Sequence, residues 1–559
     1  MPKKMVNVTQ QNQTVAWHSI KWKHVNYVVN NLRQRLYRAT ESGDLKKVRN
    51  LQKLILRSQS VRVQSIRKVT TENSGKNTPG MDGQVVLDNR SREILNASLL
   101  AHKQPTAQPV KRVFIPKEKG KVRPLGIATI TDRCRQVIVQ TALEPYWEAK
   151  FEATSYGFRP GRGAHDAIQK IFCIARSGKG KPWVLEADIK GAFDNISHSF
   201  LMEQLKGFPA RQQIEKWLKS GICYKDQFEA THTGVQQGGP ISPLLLNITL
   251  HGMETELGVL TQNHILTSKS PYAVVRYADD LVVFSKSQAE CQTAKIKLNG
   301  WLAKRGLALS EEKTRIVHLE EGFDFLGFNV KRYKTKRTKR GTVLLIKPSR
   351  KSIANFRQEI RQTWMQVLGW RTVDAIRNLN KKISGWGNYF KISSAKKIFS
   401  RLDYWMFKRQ ERYLYRTHPN KHWYWYRRQY YGTVKGRKDR WVFQDKSSKI
   451  YLEKLAWIPI RRHIMVKNIS SPDNPKLKQY WLNRQKNKNS MTTTNKRLIW
   501  RKQQGKCPVC IEKLDNGEAL HIHHNIPRSL GGRNNLDNLS LLHAMCHRQI
   551  HSKQGRAVA

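Results

Sequence analysis

The chain has 559 residues, 39% of them hydrophobic, and carries 102 Lys and Arg against 41 Asp and Glu, a formal net charge of +61. That length exceeds one ordinary domain, and the apolar content is enough for real cores, so three or four folded units are expected rather than a disordered tail. The charge would repel itself unless it met a polyanion, and phosphate backbone is the obvious one; a generally basic soluble protein or an anionic-membrane binder is the bland alternative.

No run of about 18 apolar residues offers a membrane span. The polar start, Met1-Pro-Lys-Lys-Met-Val-Asn-Val8, lacks the apolar core of a signal peptide. Seven cysteines in this length argue against a secreted disulfide scaffold. A reducing compartment that contains nucleic acid is expected, either a bacterial cytoplasm, nucleoid-associated, or an organelle. Cys134, Cys173, Cys223 and Cys291 are scattered and read as packing residues.

In chain order, residues 20–56 have helical spacing, with Val25, Val28, Val29, Leu32 and Leu36, then Leu45, Val48, Leu51 and Leu54 on the apolar face. The Gly-bearing stretch from Asn73 to Gly83 reads as a loop. From about 110 to 330, short β-rich runs alternate with amphipathic helices, the pattern of a mixed α/β domain. Ala167, Ile168, Ile171, Phe172 and Ala175 predict a helix, whereas Trp183-Val-Leu-Glu-Ala-Asp188 and Val274-Val-Arg-Tyr277 predict strands. Lys331–Arg340, with seven basic residues in ten, reads as a loop or hairpin tip. Ile353, Phe356, Ile360, Trp364 and Val367 then open an α-helical unit that extends to about 460. Residues 468–495, rich in Asn, Lys, Ser and Thr, read as a linker or loosely folded basic segment, and the last sixty residues as a separate small module.

Asp279-Asp280 lies between two apolar runs, as at a hairpin tip, and Asp188 ends another predicted strand. Two adjacent acids between buried strands are costly without a metal or cationic partners. Phosphodiester synthesis needs two divalent ions about 4 Å apart, held by carboxylates that converge from different segments. One such acid pair is weak by itself, since a turn aspartate pair is usually structural.

The pair falls within one of six blocks that run in order: Phe114-Ile-Pro-Lys117 with Val122-Arg-Pro-Leu-Gly-Ile127, Tyr156-Gly-Phe-Arg-Pro-Gly-Arg-Gly163 with His165-Asp166-Ala167, Glu186-Ala-Asp-Ile-Lys-Gly-Ala-Phe-Asp-Asn195, Gln237-Gly-Gly-Pro-Ile-Ser-Pro243, Tyr277-Ala-Asp-Asp280 and Phe325-Leu-Gly-Phe328. With these blocks the sequence resembles a reverse transcriptase of the group II intron-encoded type. The resemblance implies a multidomain α/β protein: right-hand polymerase fingers and palm of mixed sheet plus helices, an α-helical thumb or maturase domain, and a small ββα-metal HNH module.

It further implies that Asp188 and Asp279 hold two Mg²⁺ ions while Asp280 supports the site. Phe193 falls where an aromatic wall meets the sugar 2′ position, with a core aromatic as the alternative. Lys117 and Arg123 match residues that grip the triphosphate. Gln237 and Gly238 match a loop against nucleotide and template, although Gln236 and Pro240 depart from the family's usual residues there. Lys313 is either a proton donor to pyrophosphate or a solvated surface lysine.

Residues 404–431 contain eleven aromatics and seven Lys or Arg, including Arg427 and Arg428, with one acid, Glu411. Rings interleaved with cations suit structured or single-stranded RNA, and about half of these rings are expected to face a core instead. Leu379-Asn-Lys-Lys-Ile-Ser-Gly-Trp-Gly-Asn-Tyr389 resembles the maturase domain, which implies binding of intron RNA.

Near the C-terminus, Cys507-Pro-Val-Cys510 has zinc-knuckle spacing, and His543-Ala-Met-Cys546 completes a Cys₃His set for structural Zn²⁺, His543 standing where relatives usually have Cys. The surrounding His523-His524-Asn-Ile-Pro527, Asn538 and His547-x₃-His551 resemble an HNH endonuclease. That implies His524 as general base, Asn538 as its orienting partner, and His523, His547 and His551 as ligands of one divalent ion; a purely structural zinc module is the alternative. His521 receives no role.

The expected division is an N-terminal helical extension at 1–60, fingers and palm at 61–345, maturase domain at 346–460, a basic DNA-binding or linker segment at 461–498, and the HNH module at 499–559. The implied function is a mobile-intron protein that binds its intron RNA as a lariat ribonucleoprotein, nicks target DNA, and extends the nick with deoxynucleoside triphosphates. A splicing-only maturase and a retron or defence-type reverse transcriptase are the rivals. Intact Asp188, Asp279 and Asp280 argue against the first, and the maturase-like segment and HNH tail against the second.

Overall fold

The computed structural model describes residues 16–550 apart from 102–105, 117–121, 177–179, 226, 261–269, 337, 339–340, 435, 490–493, 510, 512–513, 515–519, 528–530, 533–534, 544–545 and 548–549. Lys117, Cys510 and His551 thus lie outside the described residues. Among those described, no helix is long and apolar enough to cross a membrane.

The predicted N-terminal helix is two, α1 (Trp22–Glu41) and α2 (Leu45–Arg57), because Gly43 at φ 72° breaks the run and the Asp44 side chain caps α2. Leu45 and Leu54, counted on the apolar face, are exposed; Tyr37 and Ile55 are buried there instead. α3 (Gln59–Arg67) and α4 (Asn89–Ala101) follow, and α1, α2 and α3 all pack on α5 (Ile130–Glu148). A four-stranded fingers sheet combines β1 (Val110–Pro116), β2 (Val122–Ile127), β4 (Ile222–Tyr224) and β5 (Gln227–Glu229), in the order β2-β1-β4-β5.

The palm is a second sheet, antiparallel throughout, in the order β6-β7-β3-β8: β3 (Trp183–Asp188), β6 (Ala273–Tyr277), β7 (Asp280–Ser285) and β8 (Arg315–His318). Strand side chains alternate between faces. Here both faces are buried, which is why the sequence shows unbroken apolar runs. Leu185, Ala187, Val274, Leu281 and Val283 join a core with α5, α9 (Ser242–Thr249) and α11 (Gln288–Ala303). Val184, Val275, Val282 and Phe284 join the other core, with α6 (Ala164–Arg176) and the thumb. The short helices α7 (His198–Gln204), α8 (Arg211–Leu218) and α10 (Met253–Glu256) complete the palm.

The basic run Lys331–Arg340 enters a strand before it turns: β10 (Phe328–Lys334) pairs with β9 (Phe323–Phe325) and β11 (Thr342–Pro348). The thumb that follows contains α12 (Arg350–Gln366), α13 (Thr372–Phe390), α14 (Lys396–Thr417) and α15 (Trp423–Tyr430). It is not all helix: β12 (Tyr431–Gly432), β13 (Val442–Asp445) and β14 (Ile450–Tyr451) form a small sheet against α13.

The segment expected to be a linker or loosely folded is docked along its described length. Asp166 Oδ1 accepts from His463 Nε2 at 2.9 Å, Val466 N at 2.8 Å and Arg484 NH2 at 3.0 Å. Arg33 pairs through NH2 with Asp473 and Glu144, each at 2.7 Å. Trp481 covers Gly161, where a Cβ would lie 2.5 Å from its ring, and the segment continues as α16 (Lys478–Asn489). The C-terminal module holds α17 (Thr494–Lys502) and the hairpin β15 (Leu520–His524) and β16 (Leu539–His543).

The Arg33 clamp is largely buried, and removing one member of a buried pair strands the other charge. Asp473→Ala should therefore cost about 3 kcal/mol of local stability. It should open residues 463–484 to protease before the palm unfolds; unchanged limited proteolysis would contradict the clamp.

Candidate functional site

β6 and β7 are joined by a two-residue turn, Ala278-Asp279, since Tyr277 pairs with Asp280. Ala278 takes φ 57°, a left-handed conformation that costs a non-glycine residue about 1–2 kcal/mol. On the neighbouring strand Asp188 lies directly opposite Asp280. Both therefore point to the thumb-side face, with Asp279 on the turn above them. Like charges directly opposite in an antiparallel pair repel.

The electrostatics record that repulsion. Burial, then the charges of Asp279 and Asp188, push the Asp280 carboxyl up to about 7 from its ordinary 3.8. Burial also raises Asp279, with Asp188 adding to it. Two cations answer them: the Arg123 charge bears on Asp279, and Lys313 Nζ lies 2.6 Å from Asp188 Oδ2, a hydrogen bond that raises the lysine in turn. Lys313 is 64% exposed but tethered, so it is neither a free surface lysine nor enough charge for three carboxylates. The donor set fits divalent cations: three hard oxygen-bearing groups from two strands and a turn, two of them with carboxyls pushed up by burial and by one another's charge.

Around this centre, Arg123 Nε donates to Gln237 Oε1 at 3.0 Å, and Gln237 Nε2 reaches both Asp194 oxygens at 3.1 and 3.2 Å. The fingers strand β2 is thus tied to the palm loop through Gln237. Gly238, at φ 115°, lies where a Cβ would be 2.9 Å from the Gly126 oxygen. Gln236, a departure from the family pattern, is used structurally, its amide donating to Trp217 O and Ser220 Oγ. Phe193 is 8% exposed in the palm core, with its ring edge-on to Phe158 at 6.4 Å.

On the same face a cleft of about 1330 Å³ opens between the β10–β11 hairpin and the thumb, lined by Arg315, Lys331, Tyr333, Lys347, Arg350 and Arg401 among others. Beyond it, Trp405 is held between the guanidiniums of Arg357 and Arg409, each 5.2 Å from its ring. Arg361, Arg412 and Arg416 bring their charges close enough to depress Arg409, after burial. Sequence reading singled out none of these arginines. The spacing of Arg409, Arg412 and Arg416 was visible, but their alignment with α12 is a tertiary fact. Arg427 and Arg428 are exposed on α15. Of the eleven aromatics at 404–431, three are buried and five more pack on the thumb core, leaving Tyr404, Tyr415 and Tyr424 exposed; more than half face inward.

In the C-terminal module the ligand atoms of Cys507, His543 and Cys546 lie within 4.8 Å of one another, all three residues buried. His543 is thus brought to the metal-type cluster despite its departure from the family pattern. Among the described residues it is the one group of three or more His, Cys, Asp or Glu whose ligand atoms all lie that close, closer than the three palm carboxylates come to one another. His523 and His547 have ring centroids 5.3 Å apart, and His521 sits just as close to His547, at 5.3 Å. Strand alternation puts His521 and His523 on one face of β15 and His524 on the other. The Asn538 amide is bonded at both ends to the backbone of Ile526, at 2.7 and 3.1 Å, fixing the turn after His524.

Four stretches of the chain match known protein families. Residues 17–99 match the N-terminal domain of reverse transcriptase, 115–330 the reverse transcriptase (RNA-dependent DNA polymerase) family, 353–431 the group II intron maturase-specific domain, and 507–553 the HNH endonuclease family. The chain is 34% identical to protein YkfC of Escherichia coli over 309 residues, covering 48% of this chain and 80% of that protein. It is 30% identical over 421 residues to the group II intron-encoded protein LtrA of Lactococcus lactis, covering 60% and 69%. A 91 kDa protein in the cob intron of Schizosaccharomyces pombe is 26% identical over 452 residues, covering 68% and 55%.

A carboxyl whose folded pKa lies above its ordinary value stabilises the fold at low pH and loses that contribution as pH rises through the folded value. In chelator, melting temperature should fall between pH 3.8 and about 7 through Asp280. Asp280→Asn should flatten that part of the profile. Identical profiles for the two proteins would show that Asp280 carries no raised pKa.

Proposed function

This chain belongs to the family of group II intron-encoded proteins, and we propose that it serves a mobile intron by joining three activities in one molecule. It is an RNA-directed DNA polymerase with a maturase domain and an HNH endonuclease. The observation that carries the reading is the placement of Asp188 opposite Asp280 with Asp279 on the adjoining turn, in a chain that also bears the other two modules. A splicing-only protein has no use for that placement.

In this reading Asp188 and Asp279 hold two magnesium ions and Asp280 supports them. Ions so held activate the primer hydroxyl and neutralise charge on the leaving pyrophosphate. Arg123, with Lys117, grips the triphosphate of a deoxynucleotide, and Gln237 and Gly238 bring the loop backbone against nucleotide and template. Phe193 keeps its ring in the core and presents an edge to the sugar 2′ side. The basic cleft takes the template and primer, and the thumb surface around Trp405, with Arg427 and Arg428, takes the intron RNA as the lariat ribonucleoprotein.

In the last module Cys507, Cys510, His543 and Cys546 bind zinc for folding, since so short a module buries little core of its own. His523, His547 and His551 hold the ion of the HNH site, His524 deprotonates water, and Asn538 keeps His524 oriented. Nicking of target DNA then supplies the primer end. We keep the domain limits proposed from sequence as part of this reading, with 461–498 both a docked strap and a candidate DNA contact. The working compartment is the cytoplasm of a bacterium or an organelle.

The modules should separate by mutation. Asp279→Asn should abolish cDNA synthesis and leave intron-RNA binding intact. His524→Ala should abolish nicking while extension of an annealed primer continues. A double variant should still assist splicing. Near-normal polymerisation by Asp279→Asn, or splicing that fails in the double variant, would overturn the reading.

A further inference from the structure

We propose that Arg276 is a positioning residue of the polymerase: its buried guanidinium fixes the Ala278 carbonyl and so sets where Asp279 stands. The inference rests on Asp279 as a metal-holding carboxylate.

Arg276 is in the third position before Asp279 and is 2% exposed, which is rare for an arginine. A single nitrogen, NH1, donates to Asn247 Oδ1 at 3.1 Å and to Ala278 O at 3.3 Å. Asn247, from α9, spends its other amide end on Gly157 O at 2.9 Å. Gly157 in turn presses on the turn: a Cβ there would lie 2.3 Å from the Ala278 nitrogen and 3.0 Å from the Tyr277 carbonyl carbon. The turn is thus gripped on its carbonyl by Arg276 and on its nitrogen side by Gly157, with Asn247 bracing both.

The grip acts where the backbone needs it. Ala278 is held at φ 57° without being glycine, a conformation that persists only when the surroundings over-determine it. The peptide that Arg276 holds is the one that enters Asp279, so rotating it would swing that carboxylate away from Asp188. The strand is fixed on its outer edge as well, because Arg276 N donates to Thr154 O at 3.0 Å and Tyr156 N to Arg276 O at 2.9 Å.

A buried acid pair offsets part of the cost of burying the guanidinium, although burial still pulls Arg276 down to about 10. Glu152 and Glu254 are both held near it, and Glu254 N donates to Glu152 Oε1 at 2.9 Å while Thr154 N donates to Glu254 Oε1 at 3.2 Å. None of these groups touches the reacting atoms. Their work is to keep a charged donor behind the catalytic turn.

Steady-state extension on an RNA template tests this. Arg276→Gln should lower kcat about 100-fold, the scale of a small displacement of a catalytic group. The KM for nucleotide and the affinity for intron RNA should stay within about threefold. Arg276→Lys should recover most of kcat, because one charged nitrogen can serve both acceptors. Asn247→Ala, which leaves the guanidinium in place without its brace, should lower kcat about tenfold at unchanged KM; it decides the matter if Arg276→Gln does not fold. A normal kcat in Asn247→Ala or folded Arg276→Gln, or a lysine variant no better than glutamine, would overturn the proposal. If Asp279→Asn itself remained active, the failure would lie with the carboxylate assignment instead.

Discussion

Three carboxylates packed into one end of a buried sheet repel one another, and much of the palm exists to hold them there. Asp188 and Asp280 are set opposite each other by strand register, and Asp279 by a turn that an alanine would not choose. A slip of one residue would send Asp188 and Asp280 to opposite faces. Burial of the sheet on both sides makes such a slip prohibitive, because every apolar residue of the slipped strand would change core. The stability gathered in two cores thus constrains a few charges at the sheet's edge.

Outward from that centre, the same conflict is resolved by reach across the chain. Arg276 is carried in the catalytic strand but braced from α9 and from the loop at Gly157. The strap at 463–484 ties the thumb's exit back to α1, α5 and α6 through Arg33, Glu144 and Asp166. The net charge of +61 is then left largely on surfaces, where the cleft beside β10 and the arginines around Trp405 concentrate it. Phosphate backbone is the counter-charge that such surfaces fit.

The palm was legible in the sequence because its signal is local. Asp279-Asp280 between two apolar runs states a hairpin, and Trp183–Asp188 states a strand with an acid at its end. The strap was misread because Asn, Lys, Ser and Thr carry no periodicity, and its anchors lie far off, 297 residues away for His463 and 440 for Asp473. Arg276 looked like one polar residue on an apolar strand; only its partners reveal why it is there. His521 was set aside although its spacing from His523 already placed both on one strand face. The small sheet at the end of the thumb was hidden by strands of two to four residues, too short to show alternation.

The central claim is that the Asp280 carboxyl, pushed up to about 7 beside Asp188 and Asp279, gives up protons when divalent cations enter the palm. Calorimetric titration of Mn²⁺ into the zinc-loaded protein near pH 7, in buffers of different ionisation enthalpy, tests it directly. The account predicts binding that releases protons in the wild-type chain, with both the binding and the release lost from the palm in Asp279→Asn. Equal binding by Asp279→Asn, or binding with no proton release, would contradict it.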